Sequence, residues 1–150
     1  GYGRRGAKPL FGPVEMKGFK PGLWGYDLDA GQEGQITHCF KATEGCAFKS
    51  FQFIPWLILP ASLRTDKTYN RVEFSRDGQH YERLYENVHT YDTRSYWDIS
   101  ETVGGLNGFY IRISAGLPQK TALIYVAMKL RCSITASVDL GAEPAKPSAQ

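Results

Sequence analysis

The stretch that decides the fold is Val72-Glu73-Phe74-Ser75-Arg76-Asp77-Gly78-Gln79-His80-Tyr81. Val72 and Phe74 alternate with Arg71, Glu73 and Ser75, the period of a strand with one face in a core and one in water. Asp77-Gly78 is the dipeptide favoured in a two-residue type I′ hairpin turn, so the reading pairs Asn70–Ser75 with His80–Tyr85. Val72 and Phe74 face inward on this reading.

The same alternation recurs along the chain. Ile36, His38 and Phe40 oppose Thr37, Cys39 and Lys41, with His38 expected to be a packed strand residue. Phe51 and Phe53 oppose Phe48, Ser50 and Gln52. Phe109, Ile111 and Ile113 oppose Tyr110 and Arg112. The longest run, Ala122–Ile134, carries Ile124, Val126, Met128 and Leu130 on one face. Trp97 and Ile99 share a face, and Ser100 is placed to cap a short helical turn that leaves through Gly104-Gly105. Pro55 and Pro60 demote the segment between them to an edge strand or a crossing. Helical periodicity is nearly absent. The expectation is an all-β fold, an antiparallel β-sandwich (jelly roll) of about eight or nine strands.

The 150 residues suffice for one domain. Residues 1–10 read as a flexible segment, 11–140 as the sandwich, and 141–150 as a Pro/Ala-rich, linker-like tail. The chain therefore reads as a module of a longer protein. The formal charge of +3 comes from scattered lysines and arginines. Without a basic stripe, nucleic acid is not an expected partner. No apolar run approaches the roughly 20 residues of a membrane helix, and a monomer is expected. Cys39 and Cys46 flank a turn, which leaves a bridge or two small thiols open, with Cys132 free.

Ser75-Arg76-Asp77-Gly78-Gln79-His80-Tyr81, Trp97-Asp98-Ile99-Ser100 and Gly108-Phe109-Tyr110-Ile111-Arg112-Ile113 together resemble the galactose-binding-like (discoidin-like) jelly-roll superfamily. The match covers roughly residues 70–114. The resemblance implies a carbohydrate-binding module, secreted and attached to a polysaccharide-active catalytic domain. It also raises the expectation of a structural calcium. It assigns no ligand residue, because the matching positions have turn, cap and core duties of their own.

Binding candidates therefore come from the residues themselves. Sugar recognition needs flat aromatic platforms and a few directed polar groups. Trp24 and Tyr26 lie in the Gly/Pro-rich segment 21–26. His89, Tyr91 and Arg94 lie in the long polar segment 86–94, where the arginine fork suits an acidic sugar. Arg112, beside Tyr110, either binds from an open sheet face or joins a cross-strand ion pair. Each of the others has a bland counterpart as core, plug or solvated loop. Asp27, Asp29 and Glu33 surround a glycine turn and are the calcium candidates.

No nucleophile elbow, zinc-protease or phosphate-loop motif is present, so the chain is read as a non-enzyme. Asp77 and Asp98 are the acids that a glycosidase reading would choose, although turn and cap duties account for both. Two other readings stay open: a structural or protein-interaction sandwich packed on a catalytic domain, and a small polysaccharide lyase or hydrolase.

Overall fold

A computed structural model of the chain describes residues 7–9, 13–58, 65–86, 97–118 and 127–140. In chain order its elements are β1 (Ala7–Pro9), β2 (Glu15–Lys17), β3 (Lys20–Pro21), β4 (Tyr26–Asp29), β5 (Glu33–Ala42), β6 (Cys46–Ile58), β7 (Tyr69–Ser75), β8 (Glu82–Glu86), β9 (Trp97–Asp98), α1 (Ser100–Val103), β10 (Gly108–Gly116) and β11 (Ala127–Leu140). They form two antiparallel sheets. One runs β1-β5-β10-β7-β8 with β2 also on β5, and the other runs β3-β4-β11-β6-β9. The all-β sandwich expected from the alternation is the observed architecture.

The inward residues of both sheets meet in one core. Ile36 and Phe40 come from β5, Val72 and Phe74 from β7, and Phe109, Ile111 and Ile113 from β10. From the other sheet come Leu28, Phe48, Phe51, Phe53, Leu130 and Ala136. Phe109 stands at the centre, its ring 4.9–5.8 Å from those of Phe40, Phe48, Phe51 and Phe74. Trp97 and Ile99 are both buried, as their shared phase requires. His38 stacks near Phe40, and burial holds its imidazole below the ordinary range.

Several expectations change on contact with the geometry. Phe48 was expected opposite Phe51, yet both are buried. The register pairs Ser50 with Ser137 and Phe48 with Val138, so Lys49 is the extra residue of a β-bulge. That one-residue slip returns Phe48 to the core face. Pro55 does not break β6, which continues beside β11 to Ile58 with Pro55 opposite Cys132. Beyond Phe53, β6 has a described strand neighbour on one side only, the position where a sheet tolerates proline.

Ser100 does not cap α1. Ile99 holds the cap position, and the Ser100 hydroxyl instead accepts the Phe51 amide at 3.0 Å. Asp98 takes over the anchoring duty by accepting the Ser100 amide at 2.9 Å. Cys39, Cys46 and Cys132 are all free thiols. The first two lie on strands of opposite sheets, β5 and β6, and the turn between them is held by Asn107. Its side-chain amide donates to the carbonyls of Thr43 and Cys46 at 3.1 and 2.7 Å. Burial pushes the Cys132 thiol up to about 12.

The β7–β8 connection is longer than a two-residue turn. Phe74 pairs with Glu82, leaving Ser75–Tyr81 outside the ladder. Ser75, expected to face outward, is buried beneath this loop. Asp77 organises the loop by accepting the Ser75 hydroxyl at 3.0 Å and the amides of Gln79 and His80 at 2.8 Å each. Its other oxygen lies 2.6 Å from the His80 ring. These bonds, the His80 amide foremost, hold the Asp77 carboxyl well below the ordinary carboxylate range.

The sign of the pH dependence follows. A carboxyl depressed in the folded state contributes stability that is present above its unfolded value, about 3.9, and is lost as pH falls through the folded value. Asp77→Asn is therefore expected to be less stable than the parent at neutral pH. The gap should persist down to roughly pH 4 and narrow below it. Urea unfolding across that range reads the effect, and a gap unchanged near pH 2 would refute the assignment.

Candidate functional site

Because Phe109, Ile111 and Ile113 point into the core, Tyr110, Arg112 and Ser114 stand on the outer face of the six-stranded sheet. Their neighbours follow from the register. Arg112 lies between Thr37 of β5 and Glu73 of β7, and Tyr110 lies between Cys39 and Ser75. The Arg112 Nε donates to Glu73 Oε1 at 3.1 Å, and its guanidinium carbon sits 3.7 Å from the centre of the Tyr81 ring. Tyr81 is the last residue of the long loop, which folds the ring back over the sheet. Its hydroxyl bonds to Thr37, and burial, partly offset by Arg112, raises its phenol above the usual range.

Two further tyrosines lie on the same face. The Tyr110 ring packs on Gly78, where a Cβ would stand 2.9 Å from the ring. Gly78 also has φ 80°, so this contact and the turn both need glycine there. Cys39 beside Tyr110 raises that phenol. The Tyr69 ring covers Gly116, and its hydroxyl donates to Glu33 at 3.0 Å. Arg71 lies 5.2 Å from the Tyr69 ring centre and pairs with Glu86 at 3.5 Å.

Three half-buried phenol rings thus share a rigid sheet with two arginines, each matched by a carboxylate. Such a face offers flat apolar surface edged by fixed donors and acceptors, the requirement for a ligand with apolar planes and hydroxyl rims. Pairing keeps the arginines from acting as bare charges.

Arg112 is the sequence-selected residue that belongs to this face, and it does so while forming the ion pair foreseen as its alternative. Trp24 and Tyr26 belong to the other sheet. The Gly22 amide bonds to the Gly25 carbonyl at 2.8 Å to close the β3–β4 turn. Leu23 is fully exposed at its tip, Trp24 is half-buried, and Tyr26 packs at the core margin. His89, Tyr91 and Arg94 lie outside the described residues.

The calcium candidates are not drawn together. Asp27 and Asp29 lie on β4, and Glu33 opens β5 in the opposite sheet. Asp29 pairs with Lys20 at 3.0 Å, and Glu33 accepts the Tyr69 hydroxyl. Among the described residues no three His, Cys, Asp or Glu side chains form a metal-holding group. Asp77 and Asp98 also serve separate places: the first organises the β7–β8 loop, and the second lies on β9, bonding Ser100 and Gln52.

Sequence reading missed Tyr69, Tyr81 and Glu73 as members of the face. Glu73 is legible as outward by its alternation with Val72 and Phe74. Tyr81 and Tyr69 need the cross-strand register, which no local pattern carries.

No protein-family model matches the chain, and no curated protein does. Two solved structures are similar in fold. One is a mutant of Xylanase10C from Cellvibrio japonicus in complex with xylopentaose, at TM-score 0.50 and 10% identity over 88% of this chain. This chain spans only 27% of the length of that one. The other is the xylan-binding module CBM15, at TM-score 0.45 and 10% identity over 93% of this chain and 94% of that one. At such identity the likeness is one of fold. It goes no further than the fold and does not reach the galactose-binding-like assignment.

Proposed function

We propose that the chain is a non-catalytic carbohydrate-binding module that recognises a polysaccharide or glycan. On this proposal it is secreted and acts beside a polysaccharide-active catalytic domain. The observation that carries the reading is the outer sheet face where Tyr81 lies flat on an Arg112 held by Glu73, with Tyr110 and Tyr69 alongside. Sugar rings present apolar planes to aromatic rings and hydroxyls to neighbouring polar groups, and a sheet keeps those groups in place without ordering cost on binding. The xylanase structure of similar fold holds xylopentaose, which supports a glycan as the ligand class.

So small a contact predicts affinity in the roughly micromolar to millimolar range. Affinity electrophoresis of the intact chain through gels containing xylan, β-glucan, mannan, pectin or chitosan tests the reading, with and without calcium. Retardation in at least one gel is expected. Free migration in all of them under both conditions would overturn it.

A further inference from the structure

We propose that the recess beneath the β7–β8 loop is a separate subsite for one neutral sugar residue, a branch or a chain end. The recess measures about 300 Å³, and Phe74, Arg76, Asp77, His80, Tyr81 and Glu82 contribute to its lining. That volume stands at the lower bound for small-molecule sites, so it suits a single ring rather than a threaded chain. The inference rests on the glycan reading above for its ligand class, and it shares the Tyr81 side chain with the sheet face.

The lining offers what a pyranose needs. Phe74 closes the floor from the core side, Tyr81 supplies carbon surface, Arg76 supplies donors and Glu82 supplies an acceptor. The Arg76 guanidinium stands 5.8 Å from the ring centre of the buried Phe74. His80 has its Nδ1 2.6 Å from Asp77. With Asp77 ionised, Nδ1 carries the proton of that bond, and Nε2 is left for a hydrogen bond with a sugar hydroxyl.

The walls are set in advance. Asp77 is already engaged by Ser75, Gln79 and His80, so the loop is ordered before any ligand arrives. Charge then chooses among sugars. The lining holds one arginine, Arg76, against two carboxylates, Asp77 and Glu82, which disfavours a uronate or a sulfated sugar and suits a neutral one.

The test is an amide NMR titration of the intact chain with D-xylose, D-glucose, D-galactose and D-glucuronate, beside the polysaccharide gels. Saturable shifts confined to Arg76–Glu82 with at least one neutral sugar are expected. Arg76→Ala and Glu82→Ala, both at exposed positions, should each weaken that binding about tenfold. If polysaccharide is retarded while these amides stay still, the subsite fails and the sheet-face reading stands. If a neutral sugar moves these amides but no polysaccharide is bound, the sheet-face reading fails and the subsite stands. Tighter binding of glucuronate than of the neutral sugars would overturn the assigned class, and no response in either assay would overturn both proposals.

Discussion

Phe109→Ala is expected to destabilise the sandwich by about 3–5 kcal/mol, the range for emptying a fully packed phenylalanine site. Phe109 has no exposed surface, and four other phenylalanine rings lie against it. Phe40 and Phe74 come from its own sheet, and Phe48 and Phe51 from the other. The substitution therefore opens a void at the seam between the layers, where neither sheet can collapse without shifting the other. Domains of this kind are stable by only about 5–15 kcal/mol, so the loss is a large fraction of the total. The midpoint of thermal unfolding should fall by roughly 10 °C. Phe109→Leu, which keeps most of the volume, should cost less than half as much. Urea and thermal unfolding followed by circular dichroism read both variants. A loss under about 1 kcal/mol for the alanine variant would show that the two layers do not meet at this ring.

That core was largely legible in the sequence, because alternation along β5, β7 and β10 says which residues share a face. What alternation cannot show is where the period slips. Lys49 adds one residue to β6 opposite β11, and Phe48 moves from the expected outer face to the core. The local pattern contains no mark of that insertion; it exists only relative to the partner strand. Asp77-Gly78 was legible as a turn, but its length was not. The loop is set by the Asp77 carboxylate gathering Ser75, Gln79 and His80, a tertiary arrangement rather than a dipeptide preference.

The candidate site was legible to a similar depth. Arg112 and Tyr110 could be read as an outward pair, whereas their neighbours depend on register and on a loop folding back. Only the assembled sheet brings Tyr81 over Arg112, or sets Tyr69 on Gly116. Trp24 meets the same limit. A tryptophan between glycines carries the composition of a binding loop, yet nothing local says which sheet its hairpin extends. It extends the five-stranded one.

That separation makes the two places distinguishable by experiment. Tyr81→Ala is expected to weaken polysaccharide binding at least tenfold, while Trp24→Ala leaves it within about twofold. Tyr81 is the better probe than Arg112 itself. Removing Arg112 strands Glu73, whose side chain is only 15% exposed, and a buried unpaired carboxylate destabilises the fold as well as any site. Tyr81 lies at the loop end and is half-exposed, so its truncation removes the ring without opening the core. Tyr81→Phe keeps the ring over Arg112 and gives up only the bond to Thr37, so it should retain most of the affinity. Isothermal titration with whichever polysaccharide the gels identify reads all three variants, and unfolding curves confirm that each remains folded. Should Trp24→Ala abolish binding while Tyr81→Ala keeps it, the ligand is held by the β3–β4 hairpin. The arginine on the other sheet would then be a strut between strands.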